Sequence, residues 1–213
     1  DVPDADLRYR DSDVFAIDVA SGARRKLIGE RGNWSSPRIS PDGKFVAFVG
    51  HPFTRASYKS EELFVVGLDG NGMRKVSGTL DRDAVNPQWA PDSSGVYFAA
   101  DDRGTSNVHF APLSGAPRAI TSGPHMVSLT SVSSKPVGVG VRSAAHQPPD
   151  VVRIDLAQPG RAPSPVRLHL EPPKGWRVAN GSSESLDQTE FEFANYDLLI
   201  DTPFTNLDLV TCR

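Results

Sequence analysis

Cysteine is almost absent from this chain of 213 residues, and the single one, Cys212, lies next to the C-terminus. An internal disulfide is therefore impossible, which suits either the cytoplasm or a bacterial periplasm where disulfides are optional, and of the two we lean to the periplasm. No apolar run approaches the ~20 residues of a membrane helix. The net charge is −3 and no long basic run is present, so neither a membrane span nor a nucleic-acid partner is expected.

The N-terminus offers no initiator methionine and no signal peptide. Asp1 falls just ahead of strand-like sequence. We therefore expect a processed or truncated chain, and what remains does not set the compartment.

Helical periodicity is also nearly absent, and an internal repeat takes its place. The stretch SPRISPDGKFVAFVG at 36–50 aligns without a gap with NPQWAPDSSGVYFAA at 86–100. A third, degenerate copy, SLTSVSSKPVGVGV at 128–141, keeps the alternation of apolar residues but has lost the Pro-Asp-Gly turn. In the first copy we expect Val46 and Phe48 in the core and Asp42-Gly43 in a tight turn.

A second motif alternates with the first. It reads as strand, glycine-containing turn and strand at 13–27, 62–76 and 107–120, and a fourth strand begins at 150. Together the two motifs form four short antiparallel strands in about 40–50 residues, which is the size of one β-propeller blade. The sequence therefore predicts an all-β fold: a partial propeller of about three to four four-stranded blades, followed by a small β segment.

The repeat resembles the WD-like repeat of the TolB type, which also builds the propeller of prolyl-oligopeptidase-family serine peptidases. The stretch VSLTSVSSKPVGVGVRSAAHQPPDVVRIDL at 127–156 is similar to the last propeller blade of those peptidases, where a strand ending in Arg-Ser precedes a Pro-Pro loop. The resemblance implies a propeller that caps an α/β-hydrolase domain and filters peptides by size. The hydrolase nucleophile stands on a G-x-S-x-G turn, and this chain contains none.

Beyond residue 157 the sequence changes character. We divide the chain into a partial propeller at 1–157, a Pro-rich linker at 158–165 and a β segment at 166–213. Residues 164–210 resemble the end of the N-terminal domain of glycyl-aminopeptidase-type metallopeptidases, through the Pro-Lys-Gly-Trp turn at 173–176 and FEFANYDLLIDTPF at 191–204. The H-E-x-x-H zinc motif of that family is not found.

Candidate chemistry is sparse, and we expect no catalytic residue, no metal site and no cofactor in this chain. The five histidines do not stand at ligand spacing. The DGNG stretch at 69–72 imitates the start of a calcium loop but lacks its later ligands, so it is a hairpin turn. Tyr58, Trp89 and Tyr97 are interpreted as packing aromatics. The candidate substrate contacts are polar residues of two loops that could line one end of a propeller channel: Asp81, Arg82, Asp83, Asp102 and Arg103.

Three functions stay open. The chain is the non-catalytic propeller portion of a prolyl-oligopeptidase-like serine peptidase, with peptides or a catalytic domain as its partner. Alternatively it is a TolB-like binding or scaffold propeller of the cell envelope, or the non-catalytic leader of a glycyl-aminopeptidase-type metallopeptidase. A ring of this kind needs about 4–8 blades to close. An open set of three to four exposes apolar blade flanks, from which we expect self-association.

Overall fold

The computed structural model describes residues 11–145 and 147–157 fully, and of the remainder only the backbone of short strands at 164–165, 167–169, 177–180, 190–192 and 204–207. No helix lies in the described residues, and the alternating segments form strands as predicted. A hairpin comes first, with β1 (Phe15–Ile17) paired to β2 (Arg24–Lys26).

Three four-stranded blades follow the hairpin, each with its strands in sequence order. Blade 1 contains β3 (Gly32–Ile39), β4 (Phe45–Pro52), β5 (Glu62–Gly67) and β6 (Arg74–Lys75). Blade 2 contains β7 (Ala84–Trp89), β8 (Gly95–Asp102), β9 (Thr105–Pro112) and β10 (Arg118–Ala119). Blade 3 contains β11 (Met126–Val132), β12 (Val137–Ala144), β13 (Gln147–Asp155) and β14 (Ser164–Pro165).

The predicted partial propeller is thus confirmed, as three blades and a hairpin. Neighbouring strands inside a blade are antiparallel, and one parallel bridge from Met126 to Ser106 joins blades 2 and 3. Residues 164–165, placed by the sequence at the end of the linker, pair with β13.

Four further short strands lie in the C-terminal part. They are β15 (Arg167–His169), β16 (Arg177–Asn180), β17 (Glu190–Glu192) and β18 (Phe204–Leu207), and β15 pairs with β17 while β16 pairs with β18. The Pro-Lys-Gly-Trp turn at 173–176 lies outside the described residues.

The core lies between the blades, and the middle strands β4, β5 and β8 bury both of their faces. On β4, Val46 and Phe48 face the β1–β2 hairpin, whereas Ala47 and Val49 face blade 2. Phe48 and Ala47 are fully buried. A strand covered on both faces reads as a near-continuous apolar run, as FVAFV does here. The expectation that Val46 and Phe48 belong to the core is correct.

Aromatic rings fill the space between the hairpin and blade 1. Trp34 meets the rings of Phe48 and Phe64 edge-on, at centroid distances of 5.5 and 5.3 Å. Its indole Nε1 donates to the carbonyl of Glu30 at 3.1 Å. Such ring pairs add about 0.5–1.5 kcal/mol beyond the area that they bury.

The first motif ends in the turn that its residues predict. The Ser40 hydroxyl donates to Asp42 Oδ1 at 2.6 Å, and Gly43 adopts a φ of 71°. The same hydroxyl accepts from the Phe45 amide at 2.9 Å, so the turn is closed by side chain as well as backbone. The Asp42 amide then donates to Ser93 Oγ at 3.1 Å, which links the turn of blade 1 to the matching turn of blade 2.

Candidate functional site

Most candidate polar residues meet at one end of the blades. Because strands alternate in direction, the connection from the second to the third strand of a blade lies at the same end as the connection between blades. These segments are 53–61, 76–83, 103–104 and 120–125. We call this end the polar loop end. The Ser-Pro-Asp-Gly turn lies at the opposite end, away from all five candidate substrate contacts.

Four of the five candidates line one pocket of about 630 Å³ at the polar loop end, which we call the rim pocket. The Arg82 guanidinium donates from Nε and Nη2 to Asp102 Oδ1, at 3.1 and 2.8 Å. Arg103 next to it is almost fully exposed. Asp81, His109 and the loop before β10 complete the wall. Since β10 is the outermost strand of blade 2, the rim pocket lies towards the periphery of the blade.

The arrangement of the rim pocket suits reversible binding of a polar group. Asp102 holds Arg82 closely and lies 4.0 Å from Arg103 Nε, and the exposed guanidinium of Arg103 can reach a carboxylate or carbonyl of a ligand. Burial lowers the pKa of His109 from its usual value, so this imidazole is neutral at pH 7. His109 lines the same pocket as the two arginines, and because its Nδ1 contacts the Asn107 carbonyl at 3.0 Å, its Nε2 can accept a hydrogen bond from a ligand.

The fifth candidate, Asp83, faces a different pocket. It lines a cavity of about 290 Å³, the loop pocket, beneath the long connection 53–61. The Tyr58 hydroxyl donates to both oxygens of Asp83 at 3.0 Å, and the Glu61 amide donates to Oδ1 at 2.8 Å. The hydrogen bond that the phenol donates to Asp83 raises the pKa of Tyr58. Asp83 therefore anchors a loop.

Tyr58 is a correction to the sequence analysis. It was interpreted as a packing aromatic, but its side chain is 68% exposed. Trp89 and Tyr97 are buried as predicted. The sequence shows why: Trp89 and Tyr97 occupy repeat positions, whereas Tyr58 lies in a loop that blade 2 replaces by the two-residue turn Arg103–Gly104.

Two polar groups at the polar loop end were missed by sequence reasoning. In blade 2, Asn107 Oδ1 accepts from the Thr121 hydroxyl and contacts His125 Nε2, each at 3.0 Å. In blade 3, the Gln147 carboxamide accepts from Arg142 Nη2 at 2.9 Å and donates to Asp150 Oδ2 at 2.6 Å. Burial, followed by the positive charge of Arg142, lowers the pKa of His125.

These contacts were not visible in the sequence because they depend on which side chains the strand register and the loops bring to the same face, and not on the apolar alternation. Arg142 and Asp150 are opposite one another in the β12–β13 register. The only sequence signal was the Arg-Ser and Pro-Pro-Asp ending itself, which was noted for its resemblance and not for its chemistry.

Over the described ranges, no group of three or more His, Cys, Asp or Glu side chains is placed to hold a metal ion. In the part of the chain that the structure describes, no helix is long and apolar enough to cross a membrane.

Comparison with known proteins places this fold among propeller proteins. The chain is 32% identical over 148 residues to dipeptidyl-peptidase 5 of Porphyromonas gingivalis, covering 68% of this chain and 21% of that protein. It is 22% identical over 100 residues to the Tol-Pal system protein TolB of Francisella tularensis subsp. tularensis, covering 47% of this chain and 22% of TolB. The chain thus spans about a fifth of the length of either relative. No family model matches it.

Solved structures agree on the fold. The acylaminoacyl peptidase of Pyrococcus horikoshii superposes with a TM-score of 0.57 at 16% identity, over 86% of this chain and 28% of that chain. The β-propeller domain of the Trilobed protease from Pyrococcus furiosus gives 0.52 at 18% identity, over 69% and 44%. TolB from Acinetobacter baumannii gives 0.51 at 16% identity, over 74% and 42%.

Fold and blade packing together define the class of protein: a partial β-propeller with TolB-like blades. The propeller is of the type found in prolyl-oligopeptidase-family peptidases. Peptidases of this family include its sequence relative and several of its structural neighbours. The resemblance of residues 164–210 to a metallopeptidase is not shown by these comparisons.

Proposed function

We propose that this chain is the non-catalytic propeller portion of a prolyl-oligopeptidase-like serine peptidase and that it binds or gates peptide substrates. The observation that carries the proposal is the 32% identity to dipeptidyl-peptidase 5, which falls in a region that accounts for 21% of that protein. The polar loop end supplies a surface for peptides: the rim pocket offers the exposed guanidinium of Arg103, a neutral imidazole and two carboxylates.

Binding of a labelled acidic peptide to the intact chain tests the proposal. Arg103→Glu places a negative charge in the rim pocket and is expected to weaken binding about tenfold. Lys44→Glu makes the same change of charge on an exposed side chain at the opposite end of blade 1, and binding should be unchanged. Equal effects of the two variants would show that the rim pocket is not the site.

Turnover provides the second arm of the test. The chain contains no G-x-S-x-G turn, so we expect no hydrolysis of aminoacyl or peptidyl chromogenic substrates. Activity that persists through purification and is abolished by a serine-directed inhibitor or by a chelator would contradict the non-catalytic role.

A TolB-like binding or scaffold function is the second candidate, supported by the 22% identity to TolB. The flanking gene sequence separates the alternatives. A G-x-S-x-G motif downstream supports the peptidase propeller, an H-E-x-x-H motif supports the metallopeptidase leader, and neither motif supports the TolB-like scaffold.

Self-association belongs to the same proposal, since the flank of blade 3 that faces away from blade 2 is open. Val139 and Val141 on β12 are each 39% exposed. Their repeat counterparts in blade 1, Ala47 and Val49, are buried against blade 2. Because the repeat places apolar residues at these positions, we expect this flank to associate with another apolar surface.

A further inference from the structure

The open flank of blade 3 carries a charge where the other two blades carry a core residue. Arg153 of β13 lies directly opposite Val139 of β12, so its side chain is on the same face as the exposed valines. Its repeat counterparts are Val65 in blade 1 and Phe110 in blade 2, since each of these lies opposite the residue that corresponds to Val139. Val65 is fully buried and Phe110 is 8% exposed, whereas Arg153 is exposed.

The guanidinium of Arg153 restricts what can cover this flank. Where blade 2 covers blade 1, the covering side chains are apolar, with Trp89 and Phe98 among them. A guanidinium buried against such a surface would have no counter-charge, and burial of an unpaired charge is strongly unfavourable. A partner for blade 3 must therefore present a carboxylate opposite Arg153 as well as apolar side chains opposite Val139 and Val141.

The same flank contains a carboxylate at a suitable place. Asp155 follows Arg153 by two residues on β13, so both side chains lie on one face of the strand. Asp155 is directly opposite Val137 of β12, which continues the row of valines. Its Oδ1 accepts from the Ala157 amide at 3.0 Å, and a carboxylate has lone pairs for further donors. The flank is therefore complementary in charge to a second copy of itself.

The strand register defines how two such flanks can meet. Ile154 lies midway between Arg153 and Asp155 along β13. A two-fold axis between the two flanks, crossing the strands at the level of Ile154, lays β13 of one copy antiparallel over β13 of the other. Arg153 of each copy then lies opposite Asp155 of the other, and Val139 lies opposite Val137. Such an interface is isologous and closes at two copies.

We propose that the open flank of blade 3 binds the same flank of a second copy about a two-fold axis, with two reciprocal ion pairs between Arg153 and Asp155 beside a row of valines. The inference rests on the self-association proposed above and names its geometry. The alternative surface, the outer face of the β1–β2 hairpin, fits less well. Ile17 is opposite Arg24 there, so that face would add a second basic group next to Arg153.

Charge variants of the full chain, measured by size-exclusion chromatography with light scattering, test the pairing. Arg153→Asp leaves only acidic groups at the two positions, and Asp155→Arg leaves only basic ones. Each variant alone should dimerise at least about tenfold more weakly than the unsubstituted chain, because like charges then face each other. An equimolar mixture of the two variants should form a heterodimer at least as strong as the unsubstituted dimer, since every acidic group then faces a basic one.

Two further variants complete the series. The double change Arg153→Asp with Asp155→Arg exchanges the two charges within one copy and should restore the dimer. Arg55→Asp makes the same change of charge at an exposed side chain of blade 1 and should leave dimerisation unchanged. Restoration by the double change and by mixing also shows that the single variants are folded, so that their weak association is an effect of charge.

Failure of the pairing and failure of self-association give different results. If the unsubstituted chain grows beyond a dimer, if the single variants associate as strongly as it does, or if mixing does not restore a dimer, the two-fold pairing is wrong while self-association stands. If the unsubstituted chain is a monomer at every concentration, the proposed self-association is wrong, and the pairing is wrong with it.

Discussion

Trp89 joins two blades through a hydrogen bond as well as through its ring. Its indole Nε1 donates to the carbonyl of Arg38 in blade 1 at 2.8 Å. The ring stacks against Phe45 at a centroid distance of 6.5 Å. The repeat counterpart, Ile39, is 59% exposed. The same repeat position is therefore buried between two blades at Trp89 and exposed at Ile39.

Replacing Trp89 tests what the blade interface contributes. Trp89→Phe leaves the Arg38 carbonyl without its donor and should cost about 1–3 kcal/mol of unfolding free energy. Trp89→Ala should cost about 3–5 kcal/mol, because it also opens a cavity. Ile39→Ala, at the same repeat position, should stay within about 0.5 kcal/mol. Urea unfolding checks the three values, and a cost for Ile39→Ala as large as that for Trp89→Ala would contradict the assignment of the interface.

His109 predicts a loss of stability at mildly acidic pH. Burial lowers its pKa in the folded chain, and its ring stacks on Phe98 at 5.4 Å. The unfolded chain binds a proton near pH 6.5, and the folded chain does so only at lower pH. Stability is therefore complete above about pH 6.5 and falls as the pH decreases towards the folded pKa. Thermal melts of His109→Gln at several pH values should show a shallower acid decline.

His125 supplies the internal comparison for that series. Its pKa is lowered as well, by burial and then by Arg142, so it acts in the same direction. The double variant His109→Gln with His125→Gln should decline less than either single variant. An acid decline identical in all four proteins would show that neither imidazole is responsible.

At the level of single residues, the sequence did not predict the side-chain contacts between blades and loops. Alternation indicates that Phe48 and Val46 face a core, because apolar character repeats at every second residue and every blade. It cannot indicate that Asn86 donates to the Leu129 carbonyl of blade 3, or that Asp83 holds Tyr58. These bonds depend on the distance between units, which no local pattern encodes.

Among the elements, the outermost strands are the shortest. Strands β6, β10 and β14 have two residues each. A short outer strand that carries charge, such as Arg74–Lys75, limits edge-to-edge pairing. The sequence predicted β6 and β10 as strands after a glycine turn, whereas it assigned residues 164–165, which form β14, to the linker. Among the described strands, β1 and the inner strands β3 and β7 each pair on one side only, so unpaired edge backbone is found in all three units.

Two glycines of the first motif differ in what a side chain would meet: Gly43 lies in the turn, and Gly50 lies in the strand that follows it. Gly43 lies in the turn with a φ of 71°, and a Cβ added there would meet nothing within 4 Å. Gly50 lies in β4 with a φ of 145°, and a Cβ there would stand 1.8 Å from the carbonyl oxygen of Asn33. Gly43→Ala should thus cost about 1 kcal/mol through backbone strain alone. Gly50→Ala should cost more than about 3 kcal/mol, because β3 must move.

Chemical denaturation of both glycine variants checks the comparison. Similar midpoints for Gly43→Ala and Gly50→Ala would show that β3 and β4 are not in the close contact described. The turn at Gly43 was predictable from Ser-Pro-Asp-Gly. The close approach at Gly50 was not, since a glycine inside a strand is compatible with several structures.

For the molecule as a whole, stacking of blades determines which surfaces are closed. Blades 1 and 2 are each covered on both flanks, and this explains the near-complete burial of β4, β5 and β8. Blade 3 is covered on one flank, where Val152, Ile154 and Leu129 pack against blade 2. The count of repeats predicted this imbalance, because three blades are fewer than the number that closes a ring.

The open flank of blade 3 gives the prediction for the whole molecule. Val139 and Val141 are exposed at positions that are buried in the other two blades, as Ala47 and Val49 in blade 1 and Tyr97 and Ala99 in blade 2. We expect the chain to self-associate through this flank, so that its mass by size-exclusion chromatography with light scattering rises with concentration. The double change Val139→Lys with Val141→Lys should give a monomer at all concentrations, because it places two ammonium groups in the contact.

The control for this change is Val19→Lys, which adds a charge at a side chain that is 98% exposed in the turn of the β1–β2 hairpin. It should leave association unchanged, since Val19 lies on neither flank of blade 3. A chain without substitutions that runs as a monomer and unfolds in one sharp transition at high denaturant would show that the open flank is stable in water. Blade 3 would then be a terminal unit in its own right, whose exposed valines need no partner.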